Sequence, residues 1–135
     1  MRNIPNKEYK RILMKIPIVC VDGLLVNPKG ETLLVKRKNH PLKNIFYLPG
    51  GRVIKGEEPI DAFKRKMKEE TGFNIKKPLF VGMSSLYSPF SAQNVSSHTI
   101  SLVFTAMVKG EPKLDGQSSG YKWSKKLPKQ FKLNR

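Results

Sequence analysis

Residues 51–73 read G-R-V-I-K-G-E-E-P-I-D-A-F-K-R-K-M-K-E-E-T-G-F. Ile60, Phe63 and Met67 recur there at spacings of three and four, the period of a helix with one apolar face. Pro59 suits the first turn, where its missing N–H does no harm, and Gly72 stands where such a helix would stop. The spacing predicts a helix over 57–71. At about 100° per residue, position 66, Glu69 and Glu70 share one side of it, beside the apolar stripe. Five of the ten acidic residues of the chain (Glu57, Glu58, Asp61, Glu69, Glu70) gather in this window, although the chain carries 26 Lys and Arg. Solubility does not require them. Either they balance local lysines at a solvated helix end, or their hard oxygens hold a cation such as Mg²⁺.

Working outward, residues 16–26, I-P-I-V-C-V-D-G-L-L-V, read as a long buried strand. N-P-K-G-E at 27–31 is a turn and T-L-L-V-K-R at 32–37 the returning strand of a hairpin. A loop then leads to F-Y-L-P-G-G-R-V, whose glycines free the backbone to approach a ligand. Beyond the helix, strands are predicted over 79–87 and 99–108, with Y-K-W at 121–123 as a last short one. The outline is a mixed sheet with one well-marked helix.

At 135 residues the chain reads as a single domain, 1–135, without internal repeats or low-complexity tracts. No apolar run approaches the roughly 20 residues that span a bilayer, so no membrane role is expected. The N-terminus has no secretory core. The single cysteine, Cys20, cannot form an internal disulfide and reads as a small buried hydrophobe, which suits a reducing cytoplasm. The formal net charge of +16 favours an anionic partner (nucleic acid, phosphorylated metabolite or acidic surface) unless the lysines are merely scattered over solvated faces. The one dense basic stretch, S-K-K-L-P-K-Q-F-K-L-N-R at 124–135, reads as a frayed end. Nucleic acid is the weaker partner, because no aromatics interleave with that tail.

Gly51, Glu57, Arg65, Met67, Glu69, Glu70, Gly72 and Phe73 together resemble the Nudix box, G-x5-E-x7-R-E-U-x-E-E-x-G-U, where U is bulky and apolar. The resemblance implies an α/β fold, an α/β/α sandwich around a mixed sheet, and Mg²⁺- or Mn²⁺-dependent hydrolysis of a nucleoside diphosphate linked to another group. One position departs: the glutamate expected after Arg65 is Lys66. Lys66 would stand one helical turn from Glu70, in the charge space of a second ion, so a reduced metal complement is expected. Gly51, Glu57, Arg65 and Gly72 are expected to act structurally, with Glu57 and Arg65 paired to brace the site.

The chain also resembles the GDP-mannose mannosyl hydrolase branch of that family, whose box likewise lacks this glutamate. V-C-V-D-G-L-L-V-N-P-K-G-E-T-L-L-V-K-R, F-Y-L-P-G-G-R-V-I-K-G-E-E and L-D-G-Q-S-S-G-Y-K-W carry the similarity. It implies a Gly50 carbonyl, Glu70 and Gln117 as metal ligands, joined by Glu69 of the acidic pair. It further implies Arg37 and Arg52 on the diphosphate, with Arg52 and Glu70 catalytic, and Asp22 near the sugar of a nucleotide sugar such as GDP-mannose. A homodimer is also implied. A second departure is Ser118, where the branch has a histidine that acts as general base; serine cannot take a proton unaided at neutral pH. Of the two histidines, His98 opens a strand that could line the cleft and is taken as substrate-binding, while His40 sits in a loop. The branch implies attack at the anomeric carbon, releasing GDP and free sugar; the enzymatic alternative is cleavage of an NDP-sugar or NTP between phosphates, and a catalytically weak binder of nucleotide or RNA is the alternative of another class.

Overall fold

The computed structural model describes residues 3–39 and 42–134, so His40 lies outside the described residues. The elements run α1 (Asn6–Leu13), β1 (Ile18–Val26), β2 (Thr32–Arg37), β3 (Phe46–Tyr47), β4 (Gly50–Arg52), α2 (Pro59–Thr71), β5 (Leu79–Ser88), β6 (Ser97–Met107) and β7 (Ser118–Ser124). Two helices and a mixed sheet form an α/β sandwich.

The Val- and Ile-rich β1 is central because both of its edges are used. It runs parallel to β6 from Ile18↔Thr99 to Val26↔Met107, and β6 pairs antiparallel with β5. Its other edge is divided between two strands. β2 meets it only at Val26↔Thr32, and β4 takes over at Cys20↔Arg52, Val21↔Gly51 and Asp22↔Gly50. The expected hairpin therefore joins only at its base. From there β2 turns away to pair with β3 and β7. A cleft opens where β2 and β4 part.

Helix α2 starts at Pro59 and ends at Gly72, which takes the left-handed φ of 77° that glycine accepts without strain. It buries Ala62, Phe63 and Met67 against Val21, Leu25 and Phe104. Ile60, read from the sequence as part of the apolar stripe, is 40% exposed, so Ala62 completes the stripe instead. Gly23 sets how closely the helix approaches β1: a Cβ there would lie 2.6 Å from Met67 Sδ and 3.0 Å from Phe63 Cε1.

Two regions differ from the sequence reading. Helix α1 was not anticipated; its short span buries only Leu13, too little to show as a periodic pattern. The basic tail is docked. Phe131 sits in a second core with Leu34, Tyr47, Leu48 and Val103, and Asn134 exchanges two backbone hydrogen bonds of 2.7 Å with Met83. That pairing also covers part of the free edge of β5. Among the described residues no helix is long and apolar enough to cross a membrane.

Replacing Gly23 by valine should force Met67 and Phe63 off their positions and destabilise the fold by about 1–3 kcal/mol. The expected readout is a lowered urea midpoint with unchanged slope. An unaltered midpoint would show that α2 is free to shift on the sheet.

Candidate active site

The cleft between β2 and β4 has a volume of about 550 Å³, within the range of small-molecule sites. Among its lining residues are Asp22 of β1, Arg37 of β2, Gly50, Gly51 and Arg52 of β4, Lys66, Glu69 and Glu70 of α2, and Gln117 and Ser118 near β7. Residues scattered over nearly a hundred positions thus converge on one hollow, because β1 lends its edge to β4 while β2 carries β7 away.

Glu70 is buried. Its Oε2 lies 3.2 Å from Lys66 Nζ, and its Oε1 accepts the N–H of Gly50 at 3.4 Å. Burial pushes its pKa up and Lys66 opposes that rise. Lys66 Nζ also lies 3.4 Å from Glu69 Oε2. Burial acts on Glu69 in the same sense, but Lys66 and Arg65 outweigh it and hold this carboxyl below its ordinary range. The two glycines make this possible. A side chain at Gly51 would run into the stem of Lys66, and one at Gly50 into Asp22 Oδ1 and the Val21 carbonyl.

Arg65 braces the site from behind. Its Nε donates to Glu57 Oε2 at 2.8 Å, its Nη2 to the Arg52 carbonyl at 2.9 Å, and its Nη1 to Glu69 Oε1 at 3.2 Å. The hydrogen bond from Arg65 lowers the pKa of Glu57, whose Oε1 also accepts the Ile54 N–H at 3.0 Å. Arg52 stacks over the Tyr9 ring of α1, 4.5 Å from its centroid. Asp22 is buried at the bottom of the site. Burial pushes its carboxyl up to about 7, while a hydrogen bond from Ser101 opposes and the charge of Glu70 adds. Burial likewise pushes the Cys20 thiol up to about 12, leaving it protonated at neutral pH.

His98 is not brought into the cleft. Ser97, Thr99 and Ser101 of β6 line it, and side chains alternate along a strand, so His98 faces the other side of the sheet. There its Nε2 lies 2.8 Å from Ser85 Oγ and its ring 6.2 Å from that of Tyr87. Three cleft residues were missed from the sequence: Tyr9, Ser101 and Asp115. Asp115 accepts the Gln117 N–H at 3.0 Å and pushes Glu70 further up. Its place two residues before Gln117 was a usable signal; Tyr9 and Ser101 gave none, since only the fold brings them near.

The donor set can be tested against Mg²⁺, which takes one or two protein carboxylates and completes its shell with water and phosphate oxygens. Among the described residues no group of three or more His, Cys, Asp or Glu could hold a metal ion. Glu69 and Glu70 supply two carboxylates, with Gly50 and Gln117 beside them on the cleft wall. These residues fit a sparsely ligated ion that depends on substrate oxygens, with Lys66 already supplying one positive charge.

Residues 17–125 match the NUDIX domain family, and the chain belongs to that family. It is 41% identical over 104 residues to the ADP-ribose pyrophosphatase of Methanocaldococcus jannaschii, covering 77% of this chain and 57% of that protein. It is 38% identical over 72 residues to the low-salt glycan biosynthesis protein Agl8 of Haloferax volcanii, covering 53% of this chain and 46% of that protein. The chain spans about half the length of these curated relatives. Among solved structures, the MutT protein from Methanosarcina mazei Go1 superposes with a TM-score of 0.71 at 27% identity, over 82% of this chain and 78% of that one.

The raised pKa of Asp22 carries a stability signature. Between its ordinary value of 3.8 and about 7, the folded chain keeps a proton that the unfolded chain has released. The stability so gained is complete below the lower value and lost as pH rises through the upper one. In metal-free buffer Asp22→Asn should therefore be more stable than the parent at pH 8 by on the order of 2 kcal/mol, with the gap closing towards pH 4. Denaturation curves for the two proteins that run parallel across this interval would contradict a buried, protonated Asp22.

Proposed function

We propose that this chain is a Mg²⁺- or Mn²⁺-dependent hydrolase of a nucleoside diphosphate linked to a sugar, acting in the cleft between β2 and β4. The observation that carries the reading is the convergence of Glu69 and Glu70 with Arg37 and Arg52 around the Gly50–Gly51 backbone. Anion-binding and cation-binding groups face one another there across a hollow of nucleotide size. Glu69, Glu70, the Gly50 carbonyl and Gln117 would hold the ion, which when bound supplies Lewis-acid stabilisation of charge on phosphate oxygens. Arg37 and Arg52 bind the diphosphate, and the Tyr9 ring keeps the Arg52 guanidinium oriented. Lys66 adds a fixed positive charge beside Glu70. Asp22, at the base of the cleft, faces the sugar.

Cleavage between the phosphates is the better supported chemistry. Attack at the sugar carbon calls for a base where the cleft holds Ser118. The archaeal relative named an ADP-ribose pyrophosphatase agrees with this reading. Release of GDP and free mannose from GDP-mannose is the second reading, supported by the L-D-G-Q-S-S-G-Y-K-W stretch that bears Gln117.

Incubation with ADP-ribose and with GDP-mannose in Mg²⁺, followed by mass spectrometry of products, separates the two. AMP with ribose 5-phosphate, or GMP with mannose 1-phosphate, marks cleavage between phosphates; GDP with mannose marks attack at carbon. Turnover of no nucleotide sugar would overturn the proposal. Glu70→Gln should lower kcat by about 100-fold or more, and full activity in that variant would reject the metal site. Lys66→Glu should raise the bound Mn²⁺ per chain, measured by equilibrium dialysis, and an unchanged stoichiometry would refute the role given to Lys66.

A further inference from the structure

The charge of the chain is not evenly spread. Residues 57–77 hold five acidic and six basic residues and are nearly balanced. Residues 32–56 and 116–134 hold eleven Lys and Arg and no Asp or Glu. These two stretches are far apart in sequence, yet β2 pairs with β7 along its length. Arg37 and Arg52 line the cleft, but several of the lysines do not. Lys122 stands opposite Leu34, Lys36 lies two residues further along β2, and Phe46 stands opposite Lys36, so all share one face of the sheet.

The geometry on that face is specific. Lys122 Nζ lies 4.6 Å and Lys36 Nζ 6.0 Å from the centroid of the Phe46 ring, so two ammonium groups flank one half-buried aromatic. Phe131 packs in the cluster that contains Leu34 and Tyr47, which lays the tail against the same face, and Lys129 and Lys132, exposed, flank Phe131 in the chain. Among the described residues no carboxylate lies within 4.0 Å of these four lysines. Glu111, on the other side of β7, is engaged by the indole N–H of Trp123 at 3.1 Å. Trp123 neighbours Lys122 and so points to the opposite face.

We propose that this face, built from Lys36, Phe46, Lys122, Lys129 and Lys132, is a docking surface for single-stranded nucleic acid, separate from the cleft. Lysines on two strands and a docked tail follow a phosphate backbone, and Phe46 offers a base a π-surface to stack on once the ammonium groups that lie over its ring swing to the phosphates. A membrane or acidic protein surface would use the cations and have no use for a ring placed among them. The sequence concealed this arrangement, since Phe46 is not near the basic tail in the chain and reaches it only through β2.

The test is fluorescence anisotropy with a labelled oligouridylate of roughly 12 nucleotides, at physiological salt. Lys36→Glu/Lys122→Glu should weaken binding by about tenfold or more and flatten the salt dependence by a slope of about 1. The exposed pair Lys76→Glu/Lys77→Glu, which loses the same net charge elsewhere, should bind nearly as tightly as the parent. Equal losses in the two variants would reduce the effect to net charge and overturn the proposal. Phe46→Leu should lose about fivefold or more, and a duplex of equal length should bind more weakly; an indifferent response in either case would refute the stacking surface. Ultraviolet crosslinking of the parent protein to a 5-bromouridine oligonucleotide should mark the peptide containing Phe46, and marking only of other peptides would also refute it. Binding to phosphatidylserine vesicles without binding to the oligonucleotide would assign the face to a membrane instead.

Discussion

The guanidinium of Arg65 is the contact on which the geometry of the cleft depends. It reaches the Glu57 carboxylate, the Arg52 carbonyl and Glu69 at once. A lysine has one ammonium and cannot span three such acceptors, whereas the fork of an arginine does so without changing shape. These bonds tie α2 to β4 and to the loop that joins them. Once β4 is held, Gly50 and Gly51 lie against β1, and the stem of Lys66 has the bare backbone of Gly51 to cross. The position of each charged group in the cleft follows from that chain of contacts.

Lys66 gives the site its particular character. A half-buried ammonium beside two carboxylates is tolerable because the buried Glu70 offsets its desolvation; removal of Lys66 leaves the Glu70 carboxylate buried without its cation. On the proposed reading the same residue lowers the number of divalent charges the carboxylates accommodate, a cation fixed by the protein standing where the family's box has a glutamate. On the scale of the whole molecule the same economy of charge recurs. Acids are concentrated in residues 57–70, where they neutralise their neighbours, and the face formed by β2, β3, β7 and the tail is left with cations alone.

Much of this was legible in the chain. The periodicity of Phe63 and Met67, the stop at Gly72, and the runs that became β1, β2, β5, β6 and β7 are local signals, and the structure reproduces them to within a few residues. The neighbourhood of Lys66, Glu69 and Glu70 followed from helical spacing. His98 shows the limit of such reasoning. A shift of one residue along a strand reverses the face, and which of Ser97, His98 and Thr99 turns inward is set by pairing with β1 and β5. Ile60 failed because the helix buries Ala62, Phe63 and Met67 against Val21, Leu25 and Phe104, which leaves that side chain 40% exposed.

By itself, then, the sequence determined the elements with strong short-range periodicity and the spacing of the acidic helix, since these depend on backbone geometry over a few turns. Only the tertiary structure decided that β4 would take the edge of β1, that Tyr9 would stack on Arg52, that Phe131 would seat the tail, and that Phe46 would lie between Lys36 and Lys122. Each of those contacts joins residues far apart in the chain. Their free energy comes from burial and pairing that exist only once the strands have been ordered, and no local pattern encodes that ordering.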